Sequence, residues 1–306
     1  MGRQLAAAFG RVVVTLFVAS LVVFLLLHAS GDPARLLVPW TATPERVAEI
    51  RSSLGLDRPL YVQYGKFVSH AIRGDFGESL VFRRPAMEMV LSRFPATFEV
   101  IGVALGLALL FGIPLGVYSA HRRGSWFDKS ARAFAAVGQG IPSFVMGIIL
   151  IFIFALGLRV LPTSGRGGIT HLILPALTLA IYVMVALLRL TRSSMIDVLG
   201  TEYIKLARLK GLRESRILWR HGFRNGAMPV VTFAGIMIVG MIGAGVVVEA
   251  VFAWPGVGGL IVSSVQARDF PVAMAGVLVI TALYSVSAFV IDLLYGWLDP
   301  RIRRTQ

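Results

Sequence analysis

Long apolar runs separated by short polar breaks dominate the pattern along this chain. Six stretches, at about 12–29, 98–120, 133–158, 172–190, 229–253 and 272–295, hold almost no charge. Each reaches the roughly 20 apolar residues that a helix needs to cross the hydrocarbon of a bilayer. Apolar positions fall on every side of these runs, so each is read as a helix in lipid. The first run has a second reading, a secretory signal, with Arg3 and Arg11 as its basic flank and Ala29 and Ser30 at a cleavage point. Its length and the five runs behind it favour a retained helix.

Two stretches have a different rhythm. Between the first and second runs, Thr43 caps a helix that has Pro44 at its first position. Val47, Ile50 and Leu54 recur at helical spacing until Gly55 stops them. A second helix follows, with Leu60, Tyr64, Phe67, Val68 and Ala71 on one face, ending at Gly74. Segment 31–96 thus forms a small helical domain after the N-terminal helix at 1–30. The other stretch, 199–228, lies between the fourth and fifth runs. Ile204, Leu206, Ala207 and Leu209 form an interrupted apolar set, Gly211 breaks it, and Ile217, Leu218 and Trp219 open a helix leading into the fifth run. That is more structure than a connection between two helices requires. The apolar face meets either the bundle, a partner or the membrane surface.

Composition sharpens the class. Hydrophobic residues make up 56% and charged ones 15% of 306 residues, with a mean hydropathy of +0.77. That leaves too little polar surface to cover a water-soluble ball, so lipid is the solvent. The net charge of +14 does not indicate nucleic acid, because the basic residues lie in loops between apolar runs rather than on one soluble face. Their distribution gives an orientation. With the N-terminus inside, the inner segments hold eighteen Lys and Arg against five acidic residues, and the outer ones twelve against eight. Both termini, including the tail 301–306, are then cytoplasmic and segment 31–96 is external.

Glycine and proline punctuate the spans, with Gly112, Pro114 and Gly116 in the second, Gly138, Gly140, Pro142 and Gly147 in the third, and Gly240 and Gly243 in the fifth. Small residues allow close helix approach, and proline kinks a helix by freeing a carbonyl. Chemistry of other kinds is sparse. The chain has no cysteine, no phosphate-cradling Gly-x-x-x-x-Gly-Lys-Ser/Thr loop and no His-Glu-x-x-His pair. His28, His70, His121, His171 and His221 lie near span ends, as interfacial polar groups rather than ligands. Glu99, Glu249 and Asp292 are the candidates for an ion-coupled carrier, and none falls at a span centre. No enzyme activity and no bound cofactor are expected.

The loop 201–229 resembles the coupling loop of type I ABC importer permeases, whose signature is Glu-Ala-Ala-x-x-x-Gly. Here Lys205-Leu206-Ala207 precede Arg208-Leu209-Lys210-Gly211. Ala207 and Gly211 match, Lys205 replaces the acid, and Leu206 replaces the first alanine. In this the loop is similar to the dipeptide/oligopeptide branch (peptide, nickel and glutathione permeases, B-type subunit), as are several segments along the chain. These are Gly31-Asp32-Pro33, "LGLDRPLYVQYGKFVSHAIRGDFGESL" at 54–80, "RFPATFE" at 93–99, "VVVEAVFAWPGVGGLIVSSVQARDFPV" at 246–272 and "IDLLYGWLDPRIR" at 291–303.

The resemblance implies an all-α type I permease fold, with the permease domain at 97–300, in a bacterial cytoplasmic membrane. It implies a second homologous permease, two ATP-binding subunits that carry the ATP and Mg, and an external substrate-binding protein. Glu202, Tyr203, Lys205, Ala207, Arg208, Lys210 and Gly211 would form the ATPase-coupling element. The substrate would be a dipeptide, an oligopeptide or a related small solute. The alternative is an ion-coupled secondary carrier that needs no ATPase.

Overall fold

A computed structural model describes residues 2–29, 42–53 and 55–298. Gly31-Asp32-Pro33, Leu54 and the closing residues from 299 onward lie outside the described residues, as do the side chains of Arg3 and Asp292. In chain order the helices are α1 Gly2–Ala29, α2 Pro44–Ser53, α3 Leu60–Ala71, α4 Ala86–His121 and α5 Trp126–Gly140. Then come α6 Ser143–Gly157, α7 Ile169–Leu199, α8 Glu202–Leu209, α9 Glu214–Val251, α10 Val257–Gln266 and α11 Phe270–Leu298. Among the described residues the one extended pairing is a bridge between Glu78 and Pro85.

α1, α4, α7, α9 and α11 are each long and apolar enough to cross a membrane. The third expected span differs from its sequence reading. Instead of one helix over 133–158, α5 and α6 meet at 108°. Pro142 has no N–H to carry the ladder forward, and Ile141 before it takes an extended conformation, φ −98° and ψ 123°. Pro114, Pro175 and Pro229 stand inside helices that continue through them. Counted as one crossing, the bent pair makes six.

The chain divides into two compact units, Met1–Thr97 with Pro255–Leu293, and Phe98–Trp254 with Leu294–Gln306. In the first, α3 lies on α1. Phe24 is buried against the rings of Tyr64 and Phe67 at 5.3 and 6.0 Å. The Ser20 and Tyr64 hydroxyls bond at 2.8 Å, and His28 Nε2 meets Gln63 Oε1 at 3.0 Å. The two helices described between α1 and α4 form as their sequence signals require. Val47 N donates to Thr43 O at 3.2 Å at the start of α2, and Gly55 at φ +68° and Gly74 at φ +77° end the two helices.

The motif segments of this unit prove to be joints. Ser79 donates its hydroxyl to the buried Asp269 carboxylate, which also accepts Leu80 N at 3.0 Å. Thr97 Oγ1 accepts Val257 N at 2.9 Å, and Arg93 reaches Pro255 O at 3.4 Å. Ala86, Met89 and Val90 then pack on Val257, Leu260, Ile261, Val272 and Ala275.

In the second unit α7 is the central helix, packed against α4, α5, α6 and α9. More than half of its apolar window is buried, 56%, against 11% for α1. Contact is close because glycines face it. A methyl group on Gly116 would lie 2.6 Å from Thr191 Cβ, one on Gly112 2.7 Å from Met184 O, and one on Gly138 2.9 Å from Val185 Cγ1. Gly102, Gly106, Gly140, Gly240 and Gly243 meet nothing within 4 Å. The glycines therefore divide into those that set helix contacts and those that leave open space.

Candidate functional site

Two places in the second unit combine accessible chemistry with a defined geometry. The first is α8 and its turn. Thr201 precedes the helix in an extended conformation, and Glu202 sits in its first turn, where a negative charge favours the helix N-terminus. Gly211 then adopts φ +72°, which reverses the chain toward Glu214 and α9. Open space surrounds Gly211, so conformation and not crowding selects glycine.

The apolar set of α8 splits. Ile204 is fully buried and Ala207 nearly so, both packed with Ile217, Val198, Leu199 and Leu212. Leu206 and Leu209 point the other way, 52% and 85% exposed. Around them Lys205 pairs with Glu202 at 2.7 Å and Arg208 with Glu214 at 2.9 Å. His121, at the end of α4, lies 3.4 Å from that same Glu214 oxygen. Tyr203 donates its hydroxyl to the His221 carbonyl at 3.3 Å and accepts from Asn225 Nδ2 at 3.0 Å. These contacts hold α8 on a wide, π-helical turn at Ile217–Phe223, where α9 begins. Of the expected coupling residues, Glu202, Tyr203, Lys205, Arg208 and Lys210 are accessible, Ala207 is packed inward, and Gly211 shapes the turn.

Sequence reasoning missed a buried charge cluster elsewhere in this unit. Asp128 is buried at the start of α5 and accepts from four donors. Ser119 Oγ approaches at 2.6 Å, Gly124 N at 2.9 Å, and Arg192 of α7 binds both oxygens, at 2.6 and 3.0 Å. Arg132 adds a longer contact at 3.7 Å. Asp128 appeared in the sequence only as one more loop charge. Its lone negative sign among Arg122, Arg123, Lys129 and Arg132 was the available signal.

The second place is a cavity of about 380 Å³ at the α5–α6 break. Gln139, Gly140, Ile141, Pro142 and Ser143 form one wall, Leu179, Tyr182 and Val183 of α7 a second, and Met237, Gly240, Met241 and Ala244 of α9 the third. Its volume falls in the range of small-molecule sites, with a mostly apolar lining and few polar groups. Gln139 accepts a hydrogen bond from Arg189 at its edge.

Of the candidate carrier groups, Glu99 is committed to an ion pair. Glu99 Oε2 is held by Arg166 at 2.6 and 3.1 Å, and the Arg166 guanidinium lies 5.8 Å from the Trp254 ring centre. Glu249 is buried in α9, three residues before Phe252, which caps the end of that helix. His28 meets Gln63 Oε1 at 3.0 Å, His70 Nδ1 meets the Lys66 carbonyl of its own helix at 2.8 Å, and His121 lies beside Glu214.

Family comparisons match both parts of the chain. Residues 112–304 match the model described as binding-protein-dependent transport system inner membrane component, and residues 1–101 match that of its N-terminal part. The glutathione transport system permease protein of Salmonella paratyphi A is 41% identical over 290 residues, 94% of this chain and 95% of that protein. The protein of the same description from Escherichia coli strain K12 is 40% identical over the same shares. A chain of the MetNI methionine ABC transporter, in an inward-facing form, superposes with a TM-score of 0.55 at 15% identity. It covers 70% of this chain and 97% of its own length, which is a likeness of fold.

Proposed function

The chain belongs to the binding-protein-dependent transport system inner membrane components and is a non-catalytic permease subunit of an ABC importer; from that premise we propose that it carries glutathione, dipeptides or short oligopeptides. Identity of 41% over nearly the whole chain to permeases of glutathione transport supports this substrate class. Family membership sets aside the ion-coupled carrier, and the pairing of Glu99 with Arg166 fits that outcome. An ABC importer works with ATP-binding subunits and a substrate-binding protein. We assign the rest of the machine as two ATP-binding subunits, which hold the ATP and Mg, and a second homologous permease that completes the path.

Glu202, Tyr203, Lys205, Arg208 and Lys210 meet an ATP-binding subunit, on a helix seated by Ala207 and turned by Gly211. Exposed Leu206 and Leu209 supply the apolar part of that contact. A partner can shift the permease between inward- and outward-facing states only through contacts that differ between the two. The termini lie in the cytoplasm of a bacterial inner membrane and residues 45–90 outside it, as the basic loops require.

The test is uptake by the complete assembly reconstituted in vesicles, with glutathione and short peptides as probes. Accumulation that needs both ATP and the binding protein is expected. Uptake driven by an ion gradient without ATP, or none of any peptidic probe, overturns the proposal. Reporters fused within 45–90 read external and those within 205–215 cytoplasmic; the reverse pattern overturns the orientation.

A further inference from the structure

Two arginines lie less than one turn apart on α7 and have opposite fates. Arg192 is mostly buried, and both arms of its fork are taken up by Asp128. Arg189 is exposed, and among the described residues it has no carboxylate partner; its hydrogen bond goes to the neutral amide of Gln139. Gln139 is part of the cavity wall at the α5–α6 break. Tyr182, exposed and also in that wall, precedes Arg189 by seven residues on α7. Seven residues are two helical turns, so the two side chains share a face, with their Cα atoms about 10 Å apart along the axis.

Arg189 stands at the inner end of the fourth apolar run, where an exposed guanidinium held by a neutral amide is open to an anion. Its planar fork is matched to a carboxylate, which it binds by two parallel charge-assisted hydrogen bonds. The amide of Gln139 can be replaced by a better acceptor, since a neutral oxygen satisfies one donor of five. The rest of the wall, from Leu179 and Val183 to Met237 and Met241, suits the apolar part of such a substrate.

We propose that Arg189, positioned by Gln139 at the rim of the α5–α6–α7–α9 cavity, binds the carboxylate of the peptidic substrate as it passes, making this chain a contributor to substrate selection. The inference rests on the peptidic substrate class and adds a site to it. The carboxylate exchanges with the Gln139 amide on arrival, and no covalent chemistry is involved.

The absence of cysteine gives a direct test. In the assembled transporter without binding protein, Ser143→Cys places a single thiol of this chain in the cavity wall. Its alkylation by a maleimide is followed by mass spectrometry of this subunit. S-methylglutathione is expected to slow the reaction, and its diamide, with both carboxylates neutralised, to do so roughly tenfold less effectively. Adding Arg189→Gln removes that difference between acid and diamide, and Arg189→Lys retains part of it.

Equal protection by acid and diamide in the Arg189 background overturns the proposal. So does a preference that survives Arg189→Gln, or the absence of protection by either probe. Loss of the second permease or the ATP-binding subunits on purification of Arg189→Gln also overturns it, by giving Arg189 an assembly role. Failure of the substrate class would show separately, as absent ATP-dependent uptake of glutathione and peptides by the unaltered assembly.

Discussion

The Asp128 cluster and the α8 helix both belong to the second unit, yet one is complete within the chain and the other is not. Asp128 is buried and every strong acceptor direction is filled, by Ser119, Gly124 and Arg192. α8 has a closed inner face at Ile204 and Ala207, while Leu206 and Leu209 are uncovered beside exposed ion pairs. The difference separates two uses of charge. A buried carboxylate with matched donors fastens α5 to α7, since removing one partner strands the others. Exposed i,i+3 pairs such as Glu202–Lys205 contribute at most a few tenths of a kcal/mol, and serve better as a surface to be read.

The largest effect that would sharpen this contrast comes from Asp128→Ala. It leaves the Arg192 fork and the Ser119 hydroxyl without their acceptor and is expected to destabilise the second unit by about 3–5 kcal/mol. Thermal unfolding in detergent, together with the yield of folded protein, reads this. Unchanged stability would mean that Asp128 is no fastener.

Next comes the double change Leu206→Ser and Leu209→Ser. Its expected signature is a normal melting profile with at least tenfold weaker retention of the ATP-binding subunits on purification, about 1.4 kcal/mol of association. Retention equal to wild type would place the ATPase contact elsewhere.

Last comes Gly211→Val, whose effect is local. Forcing a side chain into the left-handed region costs roughly 1–2 kcal/mol at that residue, so α8 is displaced or loosened rather than unfolded. Membrane insertion is expected to persist while the substrate carried per ATP hydrolysed falls severalfold. A normal transport-to-hydrolysis ratio in reconstituted vesicles would break the link between the turn and coupling.

How legible the molecule was depended on whether the signal was local. Thr43-Pro44, Gly55 and Gly74 gave the bounds of two helices because capping and left-handed turns act within a few residues. Gly211 was legible for the same reason. The apolar set of α8 was visible, but not that Ile204 and Ala207 face the bundle while Leu206 and Leu209 face away. Pro142 announced a kink, whereas Pro114, Pro175 and Pro229, with the same local chemistry, interrupt nothing. Neighbouring helices decide which freed carbonyl is tolerated, and that is not written beside the proline.

Hydropathy and charge by themselves determined that this chain lives in lipid with five or six crossings, because solvent choice is a sum over many residues and survives errors at any one of them. Motif order determined the family. Only the tertiary structure decided that Asp128 meets Arg192 across 64 residues, that Ser79 meets Asp269 across 190, and that two arginines on one helix part company, one into an ion pair and one to the neutral amide of Gln139. Those pairings depend on where helices lie in space, and hydropathy carries no information about which polar group a polar group will find.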